Sequence, residues 1–185
     1  MHLYLNNRGK MGTGDALQWK SNTLLGKLIR LFARPTKDKI DKAGYNVNHT
    51  SLIITFDEYD QHRRYTTEAL EMGIDLNLLS RRLKTFKGEV WWFPLKLKYN
   101  HIRKAIGKIA LSYMGIWYDY SSLMKQTHSR VKINDKQLFC SEYYAFCVKK
   151  AMGLYTMTDL DNLVVAPRPC DIPDLGIFGK PTKIK

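Results

Sequence analysis

The sequence predicts an α+β fold, an antiparallel sheet packed against helices, on three observations. Runs rich in β-branched and aromatic residues gather in the middle of the chain, at 49–54, 65–70, 73–79 and 89–95. Stretches with apolar residues at helical spacing lie outside them, from 100 and from 140 onward. Strands grouped in this way, instead of alternating with helices, argue against a doubly wound parallel sheet.

Each element has its own signal. Gly12-Thr13-Gly14-Asp15 reads as a turn before a short apolar strand, Ala16-Leu17-Gln18-Trp19. Ser21 is placed to cap a helix whose apolar face is Leu24, Leu25, Leu28, Ile29 and Phe32, with Pro35 ending it. After a polar stretch, His49 opens the run Thr50-Ser51-Leu52-Ile53-Ile54, a buried strand. The charged segment 57–64 then reads as a hairpin-like connection into Tyr65-Thr66-Thr67-Glu68-Ala69-Leu70. Gly73 to Leu79 and Glu89 to Leu95 continue the strands, the second after a turn at Gly88. Asn100 is the expected cap of a helix carrying Ile102, Ala105, Ile106, Ile109, Ala110 and Tyr113, ending at Gly115. A second helix opens at Cys140, buries Tyr144, Ala145, Val148 and Ala151 or Met152, and ends before Gly153. Pro167, Pro169 and Pro173 make the next segment too proline-rich for regular structure.

No linker or internal repeat divides the 185 residues, so one domain over 1–185 with a basic C-terminal tail is expected. A hydrophobic content of 44% excludes general disorder, and no apolar run reaches the roughly 20 residues of a membrane-spanning helix. The first eight residues lack the apolar core of a secretory signal, which makes a cytoplasmic location the expectation. Thirty Lys and Arg against 17 Asp and Glu give a net charge of +13, a field that attracts anionic partners such as nucleic acid, anionic lipid or acidic substrates. A solvated cationic surface explains the same charge.

The three cysteines, Cys140, Cys147 and Cys170, have neither disulfide-framework nor zinc-site spacing. Cys140 differs from the others by standing where an apolar approach, Gln137-Leu138-Phe139, meets the start of a helix. Backbone N–H groups and the helix dipole favour an anion there, which suits a nucleophilic thiolate. His49 as base and Glu68 as orienting group, on successive strands, complete the set that a cysteine hydrolase needs. The Cys140 backbone N–H is then an oxyanion donor. His2, His62, His101 and His128 read as surface residues, Cys147 as core and Cys170 as a loop thiol. Gly12-Thr13-Gly14 lacks the lysine and the further glycine of nucleotide loops, and no acids or histidines have metal-ligand spacing, so no cofactor and no metal is expected.

The order Gly14-Asp15, His49-Thr50-Ser51, Thr67-Glu68-Ala69, Tyr118-Asp119-Tyr120, Phe139-Cys140-Ser141-Glu142 and Pro167 to Asp171 resembles the circularly permuted papain-like, NlpC-related hydrolases of the YiiX and YaeF type. The likeness covers about residues 12–175, with the histidine strand ahead of the cysteine helix. It implies a papain-like α+β fold with Cys140 as nucleophile, His49 as base and Glu68 as the orienting group. Tyr118 and Asp119 are implied as pocket residues, and Ser141 and Glu142 are expected beside them. The expected reaction is hydrolysis or transfer of an acyl group at an amide, ester or thioester of a small-molecule, peptide or lipid-derived substrate, a peptidase or amidase foremost. The alternatives are a non-catalytic binder of nucleic acid or lipid and a lipid acyl hydrolase. Trp91-Trp92-Phe93 is read as core packing rather than a lipid site.

Overall fold

The computed structural model describes residues 2–22, 40–56, 60–70, 73–116 and 139–185, the side chains of residues 60 and 61 excepted. Its strands are β1 (Ala16–Ser21), β2 (His49–Phe56), β3 (Asp60–Leu70), β4 (Gly73–Leu78), β5 (Gly88–Phe93) and β6 (Thr182–Lys183). They form one sheet in the order β4-β3-β2-β1-β5-β6, and each neighbouring pair is antiparallel. The helices are α1 (His2–Asn7), α2 (Leu79–Thr85), α3 (Arg103–Ser112) and α4 (Cys140–Leu154). The α+β architecture with an antiparallel sheet is therefore as the sequence predicts.

Alternation along the strands divides the core in two. Ala16, Leu52, Ile54, Ala69 and Phe93 pack with Ile106 and Ala110 of α3 and with Tyr144, Ala145 and Val148 of α4. Leu17, Trp19, Ile53, Val90 and Trp92, one residue out of phase, pack with Tyr4 of α1 and with Leu79 and Leu83 of α2. At the turn before β1, Gly14 has φ +90°, and a Cβ there would lie 2.8 Å from Leu95 Cδ1. Both facts require glycine.

Several boundaries depart from the sequence reading. The helix expected over 24–32 lies outside the described residues, and Ser21 ends β1, where its N–H donates to Asn48 Oδ1 at 2.7 Å. β3 begins at Asp60, so much of the expected charged connection is strand; Arg64 is buried there and donates from Nε to Met11 O at 2.8 Å. Strand β4 stops at Leu78 and gives way to α2, whose Leu79 and Leu83 form a buried i, i+4 pair. Asn100 lies within a 3₁₀ helix, Leu97–Ile102, that runs into α3, and its Oδ1 accepts from Arg103 Nε instead of capping. Gly153 does not end α4. The end is a Schellman arrangement, in which Thr156 N–H donates to Gly153 O and Met157 N–H to Met152 O, with Thr156 at φ 54°. The proline-rich segment is also regular: Pro169–Leu175 form a 3₁₀ helix, whose first residue needs no N–H donor. Cys170 accordingly sits buried in that helix rather than in a loop.

One irregularity lies at the candidate site. The β1–β2 register runs to Trp19↔His49 and the β3–β4 register to Leu70↔Gly73, yet β2 pairs with β3 only from Leu52↔Thr67 onward. The start of β2 and the end of β3 have parted there. Backbone groups at that end of β2 need other partners.

Candidate active site

Cys140 supplies one of those partners. It is the first residue of α4, which packs over β2 and β3, and it is only 3% exposed. Its Sγ accepts hydrogen bonds from the backbone N–H of Thr50, inside the parted stretch, and from that of Ser141 in the first turn of the helix. The sequence places a thiol at this end because Phe139 is extended and fully buried, which anchors the approach, while Tyr143 N–H to Phe139 O at 2.8 Å closes the first turn.

His49 opens β2 on the opposite face from α4, with Ser51 and Ile53, and its ring lies 6.4 Å from the Trp19 ring across the β1–β2 register. At this strand end thiol and imidazole stand close enough for each to shift the other's ionisation. His49 Nε2 is engaged 2.8 Å from Glu68 Oε2, which leaves Nδ1 for the thiol. Glu68 is completely buried on β3. Its Oε1 accepts from Arg82 Nε at 2.9 Å and its Oε2 from Arg82 Nη2 at 3.3 Å, a fork from α2.

The electrostatics follow from this order of charges. Burial pushes the Cys140 thiol up, but the positive charge of His49 and the hydrogen bonds from His49, Thr50 and Ser141 outweigh it and hold the thiol below its ordinary range. For His49, burial disfavours the charged ring; Cys140 and Glu68 together overcome it and raise the pKa to about 9. Glu68 is likewise pushed up by burial and brought down further by His49 and Arg82, so its carboxyl stays below the usual range. The arrangement favours a thiolate and an imidazolium side by side, backed by a carboxylate. A thiolate in such a pair is a ready nucleophile.

The other two thiols lack these partners. Burial pushes Cys147 far above an ordinary thiol, and it pushes Cys170 up to about 12, with Asp171 adding to the shift.

Three of the expected site residues, Cys140, His49 and Glu68, are thus brought together. Tyr118 and Asp119 lie outside the described residues, as does His128. Ser141 and Glu142, expected beside the pocket, are both fully buried. Ser141 Oγ donates to Pro167 O at 2.6 Å, and Glu142 Oε2 accepts from Phe139 N–H at 3.5 Å. Their position is that of braces for the helix start. His2, His62 and His101 are exposed, in keeping with a surface reading.

The sequence reading missed Arg82 and the supports around it. Trp19 Nε1 donates to Ser51 Oγ at 2.8 Å, and Thr66 Oγ1 to the same oxygen at 2.7 Å, which fixes the indole beneath His49. Gln18 was missed as well. It accepts from Thr50 Oγ1 at 3.0 Å and donates from Nε2 to Pro169 O at 3.2 Å, tying the C-terminal segment to the strand beside Cys140.

No family model and no curated protein matches the sequence. Among solved structures the chain resembles YiiX from Escherichia coli O157:H7, a metalloprotein of DUF1105, with a TM-score of 0.62 over 94% of this chain and 96% of that one. The two are 16% identical, so the likeness is one of fold: this chain has a YiiX-like α+β fold. Among the described residues no three His, Cys, Asp or Glu side chains are grouped to hold an ion, and both oxygens of Glu68 are already engaged. No described helix is long and apolar enough to cross a membrane.

Proposed function

We propose that the protein is a cysteine-dependent acyl hydrolase or acyltransferase, built on a permuted papain-like frame and acting on an amide, ester or thioester. The observation that carries this reading is the chain of contacts Cys140–His49–Glu68, with the thiol at the first position of a 15-residue helix. Neither a fold of this kind nor a buried cysteine would carry it alone.

In this reading Cys140 Sγ⁻ attacks the substrate carbonyl carbon, forming a C–S bond and moving the carbonyl electrons onto oxygen. The oxyanion lies at the N-terminus of α4, where the Cys140 N–H is the donor; one such donor is worth about 2.7–4 kcal/mol. His49 passes its Nδ1 proton to the leaving amine, alcohol or thiol as the C–N, C–O or C–S bond breaks. The neutral ring then takes a proton from water, or from an acceptor nucleophile, which attacks the thioacyl carbon and releases Cys140 as thiolate. Glu68 accepts from Nε2–H throughout and keeps the ring in one orientation. The net charge of +13 favours a substrate or acceptor with anionic groups, such as an acidic peptide or a lipid headgroup.

The test is peptide mapping after limited iodoacetamide treatment at pH 6–7, followed by activity panels of amides, esters and thioesters with Cys140→Ala as control. Selective labelling of Cys140, lost in His49→Ala, and turnover abolished in Cys140→Ala are the expected results. Equal labelling of all three cysteines would defeat the proposal.

A further inference from the structure

The structure points to a fourth member of the site: we infer that Arg82 is a positioning residue that keeps Glu68 ionised and aimed at His49, so that the reactive unit is Cys140–His49–Glu68–Arg82. This inference rests on the cysteine-nucleophile reading and assigns it a residue that touches no substrate.

The geometry is specific. A glutamate with no solvent exposure presents both oxygens to its neighbours, and Arg82 takes both of them while His49 shares one. A planar guanidinium makes such a fork where a lysine offers only a point charge. The guanidinium is itself located by two rings, with its carbon 5.2 Å from the Trp19 centroid and 5.6 Å from that of Phe86. Those rings meet edge to face at 4.9 Å, and Trp19 is held by Ser51 and abuts His49. Helix α2 therefore delivers a fixed cation to the rear of the site. The charges alternate along the chain of contacts, negative on Cys140, positive on His49, negative on Glu68 and positive on Arg82. Without Arg82 the buried cluster carries one uncompensated negative charge, and it recovers neutrality by binding a proton at Glu68 or at the thiol. A protonated Glu68 can donate to His49, which removes the reason for Nε2 to hold its hydrogen. Among the described residues, the charged groups facing the cluster are Cys140 from α4, His49 from β2, Glu68 from β3 and Arg82 from α2. Asp75 on β4 is the cross-strand partner of Glu68, but it is exposed and its carboxylate accepts from Leu76 N–H and Asn77 Nδ2.

The experiment is the pH profile of Cys140 alkylation by iodoacetamide, read by peptide mapping, in the parent and in Arg82→Met, Arg82→Lys and Glu68→Gln, with circular dichroism to confirm folding. Arg82→Met removes the cation and retains bulk between the rings. Its acid limb is expected to move up by about one pH unit, the lower end of what an adjacent charge does. Arg82→Lys, which keeps the charge without the fork, is expected to recover part of that shift. A folded Arg82→Met with the parent profile overturns the role of Arg82. If it does not fold, an Arg82→Lys profile identical to the parent, or displaced to lower pH, overturns it instead. A parent protein whose Cys140 alkylates like an ordinary thiol overturns the cysteine-nucleophile reading itself, so the two failures are distinguishable.

Discussion

Among the described residues, two of the completely buried carboxylates are each gripped by a partly exposed arginine: Glu68 by Arg82 and Asp15 by Arg103. Their remaining partners separate them. Asp15 accepts from Trp92 Nε1 at 2.8 Å, Leu95 N–H at 2.9 Å and Gly12 N–H at 3.0 Å, in addition to Arg103 at 2.7 Å. Trp92, Leu95 and Gly12 supply N–H groups from an indole and the backbone, with no imidazole or thiol among them, so Asp15 is a joint between the turn before β1, the end of β5 and α3. Glu68 has His49 in place of such donors, and His49 connects it to a thiol. A buried carboxylate–arginine pair is therefore no mark of chemistry by itself; a titratable neighbour leading to a nucleophile is.

The sharpest way to break this comparison is to remove one charge from each carboxylate without changing its shape. Glu68→Gln is expected to lower turnover by about 10²–10⁴-fold, the usual worth of a positioned acid–base group, while the protein remains folded. Asp15→Asn is expected to cost about 3 kcal/mol of stability, because it leaves Arg103 with no carboxylate in a largely buried place, with turnover per folded molecule kept. Denaturant melts and active-site titration of the same samples measure both. If Asp15→Asn lost activity with no loss of stability, the division drawn between the two carboxylates would be wrong.

Next in size is the effect of His49→Ala on the thiol. A thiol held below its ordinary range predicts that Cys140 alkylates at lower pH than an ordinary thiol, with a second change near pH 9 as His49 loses its proton. Without the imidazole, burial remains as the largest influence and pushes the thiol up. The rate at pH 7 is then expected to fall towards that of an ordinary thiol of pKa about 8.5, which is only about 3% ionised there. Stability is a poor readout of the same pair. His49, raised from 6.5 to about 9, contributes stability fully below pH 6.5 that is lost as pH rises through 9. Cys140, lowered in the folded state, contributes stability above its unfolded pKa that is lost as pH falls through the folded one. The two slopes have opposite signs where their windows overlap below pH 9, so they partly cancel where the reactivity curve bends.

The same contrast explains how much of the site was legible in the sequence. Cys140, His49 and Glu68 each stand at a place with a local signal: a helix start, the head of a β-branched run, the strand that follows. Arg82 has no such signal. Its helix spans two turns and offers a single buried i, i+4 pair, Leu79 and Leu83, too little periodicity to be told from the end of a strand. Its pairing with Glu68 is set by how α2 folds back over β3, which is tertiary information. The antiparallel sheet was legible because alternation repeats over whole strands. Its functional irregularity, the parting of β2 from β3 ahead of Leu52, was not, since nothing in His49-Thr50-Ser51 distinguishes a paired strand end from an unpaired one. Glycine misled at 153, where the αL position fell three residues later on Thr156.

The smallest expected effect sharpens the line between chemistry and support at the helix start itself. Ser141 follows Cys140 directly, yet its hydroxyl is fully buried and donates to Pro167 O, so its side chain braces the C-terminal segment while its backbone N–H favours the anionic form of the thiol. Ser141→Ala removes the brace and leaves the N–H in place. The expected result is a loss of about 1 kcal/mol in stability, the net worth of one hydrogen bond whose acceptor is left buried, with kcat and the pH profile of Cys140 unchanged. A rise in KM without a change in stability would instead make Ser141 a wall of the substrate pocket. That outcome would move the boundary between support and site one residue further along α4, to Glu142, whose carboxylate accepts from the Phe139 N–H.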